Sequence, residues 1–186
     1  MEFRKFDRQS FDATLTQWRN EAERCDCFPE EVTRKLEWID KALLAGEDTK
    51  QAHRVMAYGV FNEGQQIAAA TCELILSDRG QLAGKWLKLL KVTLSPEIES
   101  LIENSDVQAV DLGVKAYKAA TLGAYDARLE HEADTLKLFG RNDDLLRFQM
   151  ILMTFIQQDP QNSSIKASKE GRWIVLKSDT KEEVCI

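Results

Sequence analysis

The stretch Gly84–Leu94, which reads GKWLKLLKVTL, constrains the fold of this chain more than any other. Its residues alternate with a period of two, as in a strand, and both alternating sets carry bulky apolar groups. Such a strand belongs in the middle of a sheet that is covered on both faces. Ser95 and Pro96 follow at once and are typical of a helix N-cap and a first helical residue. The chain is therefore predicted to pass from the centre of a sheet directly into a helix.

Strand and helix patterns alternate along the rest of the chain. Period-two runs predict strands at Glu2–Phe6, Val55–Phe61, Ile67–Leu76, Thr135–Phe139, Ile165–Ala167 and Arg172–Leu176, beside the stretch above. Apolar spacing and end signals predict helices after Ser10, from Pro29 to about Gly46, from Pro96 to about Glu103, from Val107 to about His131, and after Asn142. The turns Asn62–Gln65 and Ser77–Gly80 make the three central strands an antiparallel meander. The fold class is α/β.

The helix after Asn142 has an unusual composition. Asn142 is typical of an N-cap, and two aspartates in the first turn suit the helix dipole. From Leu145 to Ile156 the segment is apolar almost all round, so it is predicted to be the most buried helix. No linker or repeat interrupts the chain, which indicates one domain over 1–178 and a loose polar tail at 179–186.

Composition narrows the range of functions. The 186 residues carry a net charge of −6, which makes a nucleic-acid partner unlikely, because phosphate binding needs a positive surface. No apolar run approaches the roughly 20 residues that span a bilayer, and the N-terminus lacks an apolar signal core. We therefore expect no membrane association. Four cysteines are too few for a disulfide framework and fit reduced thiols in a cytoplasmic protein.

The order of these elements resembles the GNAT (acyl-CoA N-acyltransferase) fold over nearly the whole chain. Two segments carry the resemblance, VMAYGVFNEGQQIAAATCEL at Val55–Leu74 and WLKLLKVTLSPEI at Trp86–Ile98. The resemblance implies a GNAT-like mixed, mostly antiparallel sheet with helices on both faces. It also implies that the fourth and fifth strands part, and that acetyl-CoA or another acyl-CoA lies between Lys91–Leu94 and Leu136–Phe139.

The resemblance further implies which residues bind the cofactor and what accepts the acyl group. Lys91, Val92, Thr93 and Leu94 would pair with the acyl-CoA through their backbone, and Asn142 would follow the fifth strand. The acceptor would be a small amine, or a lysine or N-terminus of a protein.

The chain departs from the family at two motifs. The glycine-rich R/Q-x-x-G-x-G/A motif should follow the fourth strand, but Ser95–Ser100 stands there without a glycine. Pro96 lacks an N–H, and Glu97 and Glu99 place negative charge where a diphosphate would bind. The family's tyrosine acid would fall at position 149, which is Gln. The loop for the CoA diphosphate is therefore degenerate.

Two residues are candidates for catalysis. Glu73 lies in a central strand, where a carboxylate could act as the general base for an amine or could pair with a lysine such as Lys88. Tyr117 could donate a proton, although its helical spacing with Val114 and Thr121 also fits a packing residue.

Other charged and metal-ligating residues have structural interpretations. A basic set could hold phosphates or simply offset an acidic surface; its members are Lys85, Lys88, Lys91, Lys137 and Arg141. Few aromatic residues are interleaved with these lysines in the sequence. Cys25 and Cys27 lack a second ligand pair, so no metal is predicted. His131 is interpreted as a residue at a helix C-terminus.

Two functions remain open. The first is an acyltransferase-like protein, acting on an acyl-CoA with a degenerate diphosphate loop. The second is a catalytically inactive GNAT-fold interaction module or subunit, associating with itself or another chain through side chains such as Trp38 and Leu44.

Overall fold

The computed structural model describes residues 1–45, 53–78 and 84–178. Seven strands lie in these ranges, at Glu2–Lys5 (β1), His53–Phe61 (β2), Ala68–Asp78 (β3), Lys85–Leu94 (β4), Thr135–Phe139 (β5), Ile165–Glu170 (β6) and Trp173–Ser178 (β7). Five α-helices lie at Arg8–Arg24 (α1), Pro29–Ala45 (α2), Pro96–Glu103 (α3), Val107–Glu130 (α4) and Asp143–Gln158 (α5). The predicted fold class is confirmed.

The described strands form one sheet in the order β1-β2-β3-β4-β5-β7-β6. The predicted meander β2-β3-β4 is antiparallel, and β4 and β5 form the one parallel pair among these strands. A parallel pair needs a crossover connection, which α3 and α4 supply between β4 and β5. The one place in the described sheet where neighbouring strands run in the same direction is therefore next to the central strand β4.

Helices cover both faces of the sheet. On one face, α1 and α2 pack on β2 and β3 around Trp18, Leu36 and Phe61, and Trp18 Nε1 donates to the Ala68 carbonyl at 2.9 Å. On the other face, α3, α4 and α5 enclose a larger core with the apolar side chains of β3, β4 and β5. The buried apolar side chains of β4, Leu87, Leu89 and Leu94, all belong to this second core, whereas Trp86 and Lys88 on its other face are half-buried.

The start of α1 differs from the prediction. Asp7, not Ser10, is the N-cap, and its carboxylate accepts from the Ser10 backbone N–H at 2.7 Å. Ser10 is the third helical residue, and its hydroxyl in turn accepts from the Asp7 N–H at 3.0 Å. This reciprocal capping box begins the helix one turn earlier, and the pKa of Asp7 is lowered by the amide that it binds.

The prediction that α5 is the most buried helix was wrong. Met150, Ile151 and Phe155 are 45%, 57% and 63% exposed on its outer face. The sheet covers only one side of α5, and no described element packs on the other side. The apolar composition of α5 therefore leaves an exposed apolar face.

Small residues bring α4 close to the sheet. Ala116, Ala120 and Ala124 are fully buried, whereas Val107 at the start of the helix is 81% exposed. A Cβ added to Gly123 would lie 2.3 Å from the Cβ of Phe3 in β1. The stripe of small side chains is thus what allows the backbones to approach.

Some predicted features fall at or beyond the ends of the described ranges. The predicted turn at Ser77–Gly80 begins too early, because β3 continues through Asp78. The rest of that turn, the connection after Gly46 and the tail 179–186 lie outside the described residues. Within the described ranges, no helix is long and apolar enough to cross a membrane.

Candidate active site

The parallel pairing of β4 and β5 stops halfway along β4. Trp86 to Leu89 pair with Thr135 to Leu138, and β4 then continues for five residues without a partner on β5. A bulge lies at the same point, because Glu73 faces Lys91 while Leu74 faces Leu89. A bulge bends the strand that carries the extra residue, here Leu90. The resemblance placed Leu136–Phe139 along a gap, but Leu136 to Leu138 are paired with β4, and β5 ends at Phe139, one residue past the last pair. The gap is thus confined to the space beside the unpaired residues Leu90–Leu94, beyond Leu138 of β5.

A cavity of about 480 Å³ lies at this gap. Apolar and aromatic side chains of β4, β5, α5 and β7 form much of its wall. Its charged and amide-bearing lining residues are Lys35, Glu73, Lys91, Glu99, Arg141 and Gln149, with Tyr117 and Thr121 from α4. A mostly apolar cleft with a few convergent polar groups is typical of a site for a small molecule.

Glu73 projects from β3 into the cavity. It is partly buried, and burial raises the pKa of its carboxyl, with the cross-strand Lys91 opposing that shift. The lysine across the hairpin is thus Lys91 and not Lys88, which faces Ile75 instead. Without the bulge the register would place Leu90 opposite Glu73, so the one-residue shift is what brings Lys91 there. A half-buried carboxyl with a raised pKa is suited to accept a proton from an ammonium group.

Tyr117 reaches the cavity from α4. Its hydroxyl donates to the Val92 carbonyl at 3.3 Å, and its ring meets Phe148 edge-on at 5.1 Å between centroids. Burial, followed by the charge of Glu99, raises the pKa of the phenol and keeps it protonated. The carbonyl and N–H of one strand residue point the same way, so the Val92 N–H also faces the gap.

Only some of the residues that the resemblance implied for cofactor binding lie at the cavity. Lys91, Val92 and Thr93 line the cavity. Leu94 is buried beyond it, and its side chain lies toward Gly113 of α4. Asn142 caps α5, and its Oδ1 accepts from the Leu145 N–H at 2.8 Å, so its side chain serves the helix.

Among the lining residues that were not predicted are two charged ones and an amide, namely Lys35, Glu99 and Gln149. Lys35 of α2 lies 3.8 Å from Glu99 of α3, whose pKa is raised by burial. Gln149 is 8% exposed, and its Nε2 donates to the Phe139 carbonyl at 3.2 Å. Its Oε1 is buried and has no partner among the described residues. Glu99 and Gln149 stood in segments where the sequence showed only missing family motifs, and no local signal connects Lys35 with β4.

The N-terminus of α3 occupies the place of the glycine-rich motif. Its first residue is Pro96, which has no N–H. The next amide, that of Glu97, donates to Oε2 of the buried Glu21 at 3.4 Å, and the Ile98 amide donates to Ser95 Oγ at 3.4 Å. Pro96 offers no N–H and the next two amides are already engaged, so a diphosphate does not fit this helix end.

The basic set does not form one cluster. Lys85 pairs with Glu132 at 2.6 Å and Lys137 with Glu170 at 3.3 Å, while Lys91 and Arg141 line the cavity. The ammonium of Lys137 also lies 3.7 Å from the ring centroid of Trp86.

Lys88 lies between two aromatic rings, with its ammonium 5.9 Å from the ring of Trp86 and 5.8 Å from that of Trp173. Aromatic rings therefore stand among the lysines: Trp86 is next to Lys85 in the sequence, and folding adds Trp173 from β7.

The remaining candidates have structural surroundings. His131 is the C-cap residue of α4, and its Nε2 lies 2.9 Å from the Tyr58 hydroxyl. Cys25 and Cys27 lie between α1 and α2 with free thiols. Across the ranges that the structure describes, no three metal-ligating side chains come together.

The fold, but not the family, is recognisable among known proteins. No model of a known family matches the chain, and no curated protein sequence does. Among solved structures, the chain is similar to a crystal structure of a probable acetyltransferase, with a TM-score of 0.53 over 91% of this chain and 100% of that chain. The identity is 13%, so the likeness shows the fold alone. The chain has an acetyltransferase-like fold.

Proposed function

We propose that the protein is a GNAT-type N-acyltransferase that moves an acyl group from a thioester, such as acetyl-CoA or another acyl-CoA, to an amine. One observation carries this proposal: β4 and β5 part after Leu89 and Leu138, and the gap opens into a cavity that Glu73 and Tyr117 line from opposite sheet faces. The acetyltransferase-like fold supports it.

Glu73 acts as the general base in this proposal. An amine arrives as an ammonium ion, which cannot attack a carbonyl until it loses a proton. Burial raises the pKa of Glu73 toward the range where a carboxylate accepts such a proton. Glu99, also lining the cavity with a raised pKa, adds a second carboxyl for the cation to approach. A base for an ammonium ion implies an amine acceptor, either a small amine or an exposed lysine or N-terminus of a protein.

The Val92 N–H and the Tyr117 hydroxyl complete the transfer. The free amine attacks the thioester carbon, and the Val92 N–H stabilises the oxyanion that forms. The C–S bond then breaks, and Tyr117 donates its proton to the departing thiolate. The new amide nitrogen loses its second proton to solvent, the tyrosinate regains one from water, and Glu73 releases its own. Before substrate binds, the Tyr117 hydroxyl is held on the Val92 carbonyl.

The experiment is a donor and acceptor screen. Isothermal titration with acetyl-CoA should show binding, and incubation with small amines or with lysine-containing peptides should release free thiol. The matched variant is Glu73→Gln, which preserves shape but cannot accept the proton. Absence of heat, thermal shift and thiol release with every acceptor would contradict acyl transfer.

A second candidate is an inactive GNAT-fold interaction module. The exposed face of α5, formed by Met150, Ile151 and Phe155, favours it. Of the side chains predicted for this role, Leu44 is 73% exposed but Trp38 is half-buried against α1 and α2. Light scattering should then show self-association that Phe155→Glu abolishes. A monomer that binds acetyl-CoA would contradict this candidate.

A further inference from the structure

We propose that the donor is read as an acyl-pantetheine thioester, through the amides of its pantetheine arm, and that a nucleotide at its far end adds nothing to binding. This inference rests on the acyl transfer proposed above. Gln149 then determines specificity for the donor. Glu21 occupies the backbone amide that a phosphate would otherwise use.

Gln149 offers an unsatisfied acceptor at the gap. Its Nε2 is held by the carbonyl of Phe139, the last residue of β5, while Oε1 is buried without a partner in the described part of the chain. A buried amide oxygen without a hydrogen bond is costly, so it calls for a donor. The pantetheine arm carries two secondary amides, each with one N–H to donate.

The facing wall complements the rest of each amide. The backbone of β4 beyond Leu89 has no partner on β5, and the Val92 N–H and carbonyl face the gap. An extended arm laid in the gap can therefore donate one amide N–H to the Val92 carbonyl and the other to Gln149, while the Val92 N–H remains for the thioester oxygen. The Val92 backbone and the Gln149 side chain are therefore complementary to amides.

The phosphate end finds no matching site at α3. Both carboxylate oxygens of the buried Glu21 are engaged, one by the Glu97 amide at 3.4 Å and the other by the Gln17 side chain at 3.1 Å. An internal carboxylate thus already occupies the amide that an anion would use. Glu97 and Glu99 in the same helical turn repel a second anion.

The cations that line the cavity are largely compensated. Lys35 lies 3.8 Å from Glu99, and Lys91 lies across the strand pair from Glu73. Of the described lining residues, Arg141 is then the one cation without a facing carboxylate. The diphosphate and 3′-phosphate of CoA carry several negative charges, which a single exposed arginine does not balance.

The test compares donors that share the pantetheine arm. Isothermal titration is run with acetyl-CoA, S-acetylpantetheine and adenosine 3′,5′-bisphosphate. We expect the two thioesters to bind with dissociation constants within about threefold of each other. We expect the bisphosphate neither to bind nor to compete. A preference of about tenfold or more for acetyl-CoA would overturn this inference and leave acyl transfer standing. Failure of both thioesters to bind would overturn acyl transfer itself.

A variant pair tests the role of Gln149. Gln149→Leu should weaken both thioesters by the same factor, about tenfold. Gln157→Leu is the matched control, because Gln157 lies on the same helix and donates to the Ile165 carbonyl at 2.8 Å, away from the cavity. Equal affinities for Gln149→Leu, Gln157→Leu and the unchanged protein would remove Gln149 from donor recognition.

Discussion

The Tyr117 hydroxyl of α4 is hydrogen-bonded at 3.3 Å to the Val92 carbonyl, in the unpaired part of β4. This contact joins the one cavity-lining phenol to the strand segment that would bind a thioester. It also shows which way the Val92 peptide groups point. The proposed chemistry depends on both facts.

Tyr117→Phe tests the phenol as the proton donor. The ring still meets Phe148, so we expect a stability loss of only about 0.5–1.5 kcal/mol from the missing hydrogen bond. Turnover should fall by a factor of about 100 or more, because general acid catalysis contributes that much. Steady-state kinetics and urea unfolding separate the two effects.

Tyr125→Phe is the matched control for that experiment. Tyr125 lies two turns further along α4, and its buried hydroxyl has no hydrogen-bond partner among the described residues. Its removal should leave both turnover and stability close to those of the unchanged protein. Equal turnover of both tyrosine variants would show that Tyr117 only packs.

Glu73→Gln tests the buried carboxyl through the pH dependence of stability. Burial raises its pKa above the ordinary 4.5, so the folded protein binds this proton more tightly than the unfolded chain. The stability that this carboxyl contributes is full below pH 4.5 and is lost as the pH rises through the raised pKa. We therefore expect Glu73→Gln to be more stable than the unchanged protein at pH 7, with no such advantage at pH 4.

Glu132→Gln should change the stability at pH 7 in the opposite direction. The hydrogen bond from Lys85 lowers the pKa of Glu132, so this carboxylate adds stability above its ordinary pKa, and its loss should destabilise the protein slightly at pH 7. Urea midpoints at the two pH values measure both variants. A destabilised Glu73→Gln at pH 7 would mean that Lys91 outweighs burial.

The sequence predicted most of the fold but little of the candidate site. Period-two and helical patterns, with end signals such as Ser95 and Pro96, are local properties, and they predicted nearly every element. The error at α5 arose because an apolar composition does not state how many sides of a helix are covered. Register was also beyond reach, since the bulge that places Lys91 opposite Glu73 depends on the pairing of two strands.

The site combines residues that are distant in the sequence. Glu73 was predicted as a carboxylate in a central strand, and Val92 was implied by the GNAT resemblance. Lys35, Glu99 and Trp173 come from three other elements, and only the folded chain brings them to one cavity. Gln149 drew attention only as a missing tyrosine, although its orphaned oxygen is a feature in its own right.

Gly123→Ala tests the close contact between α4 and β1. In an open helix this change stabilises by about 1 kcal/mol, because alanine is the better helix former. Here the new Cβ would lie 2.3 Å from the Cβ of Phe3, an atom fixed to the backbone of β1. We expect a net loss of about 1–3 kcal/mol from overpacking, measured by urea unfolding.

A second substitution distinguishes overpacking from other causes. In Gly123→Ala combined with Phe3→Ala, the total loss should be smaller than the sum of the two single losses, because the clash requires both side chains. Additive losses would show that the destabilisation by Gly123→Ala does not come from a clash with Phe3.

The central claim is that the gap between β4 and β5 holds a thioester donor. A crystal structure of the protein with a non-hydrolysable acetyl-pantetheine analogue tests it most directly. We expect density for the pantetheine arm along Lys91–Thr93, within hydrogen-bond distance of the Val92 backbone and of Gln149 Oε1. Strands paired without a break past Leu89 and Leu138, or an analogue bound elsewhere with the gap filled by side chains, would contradict it.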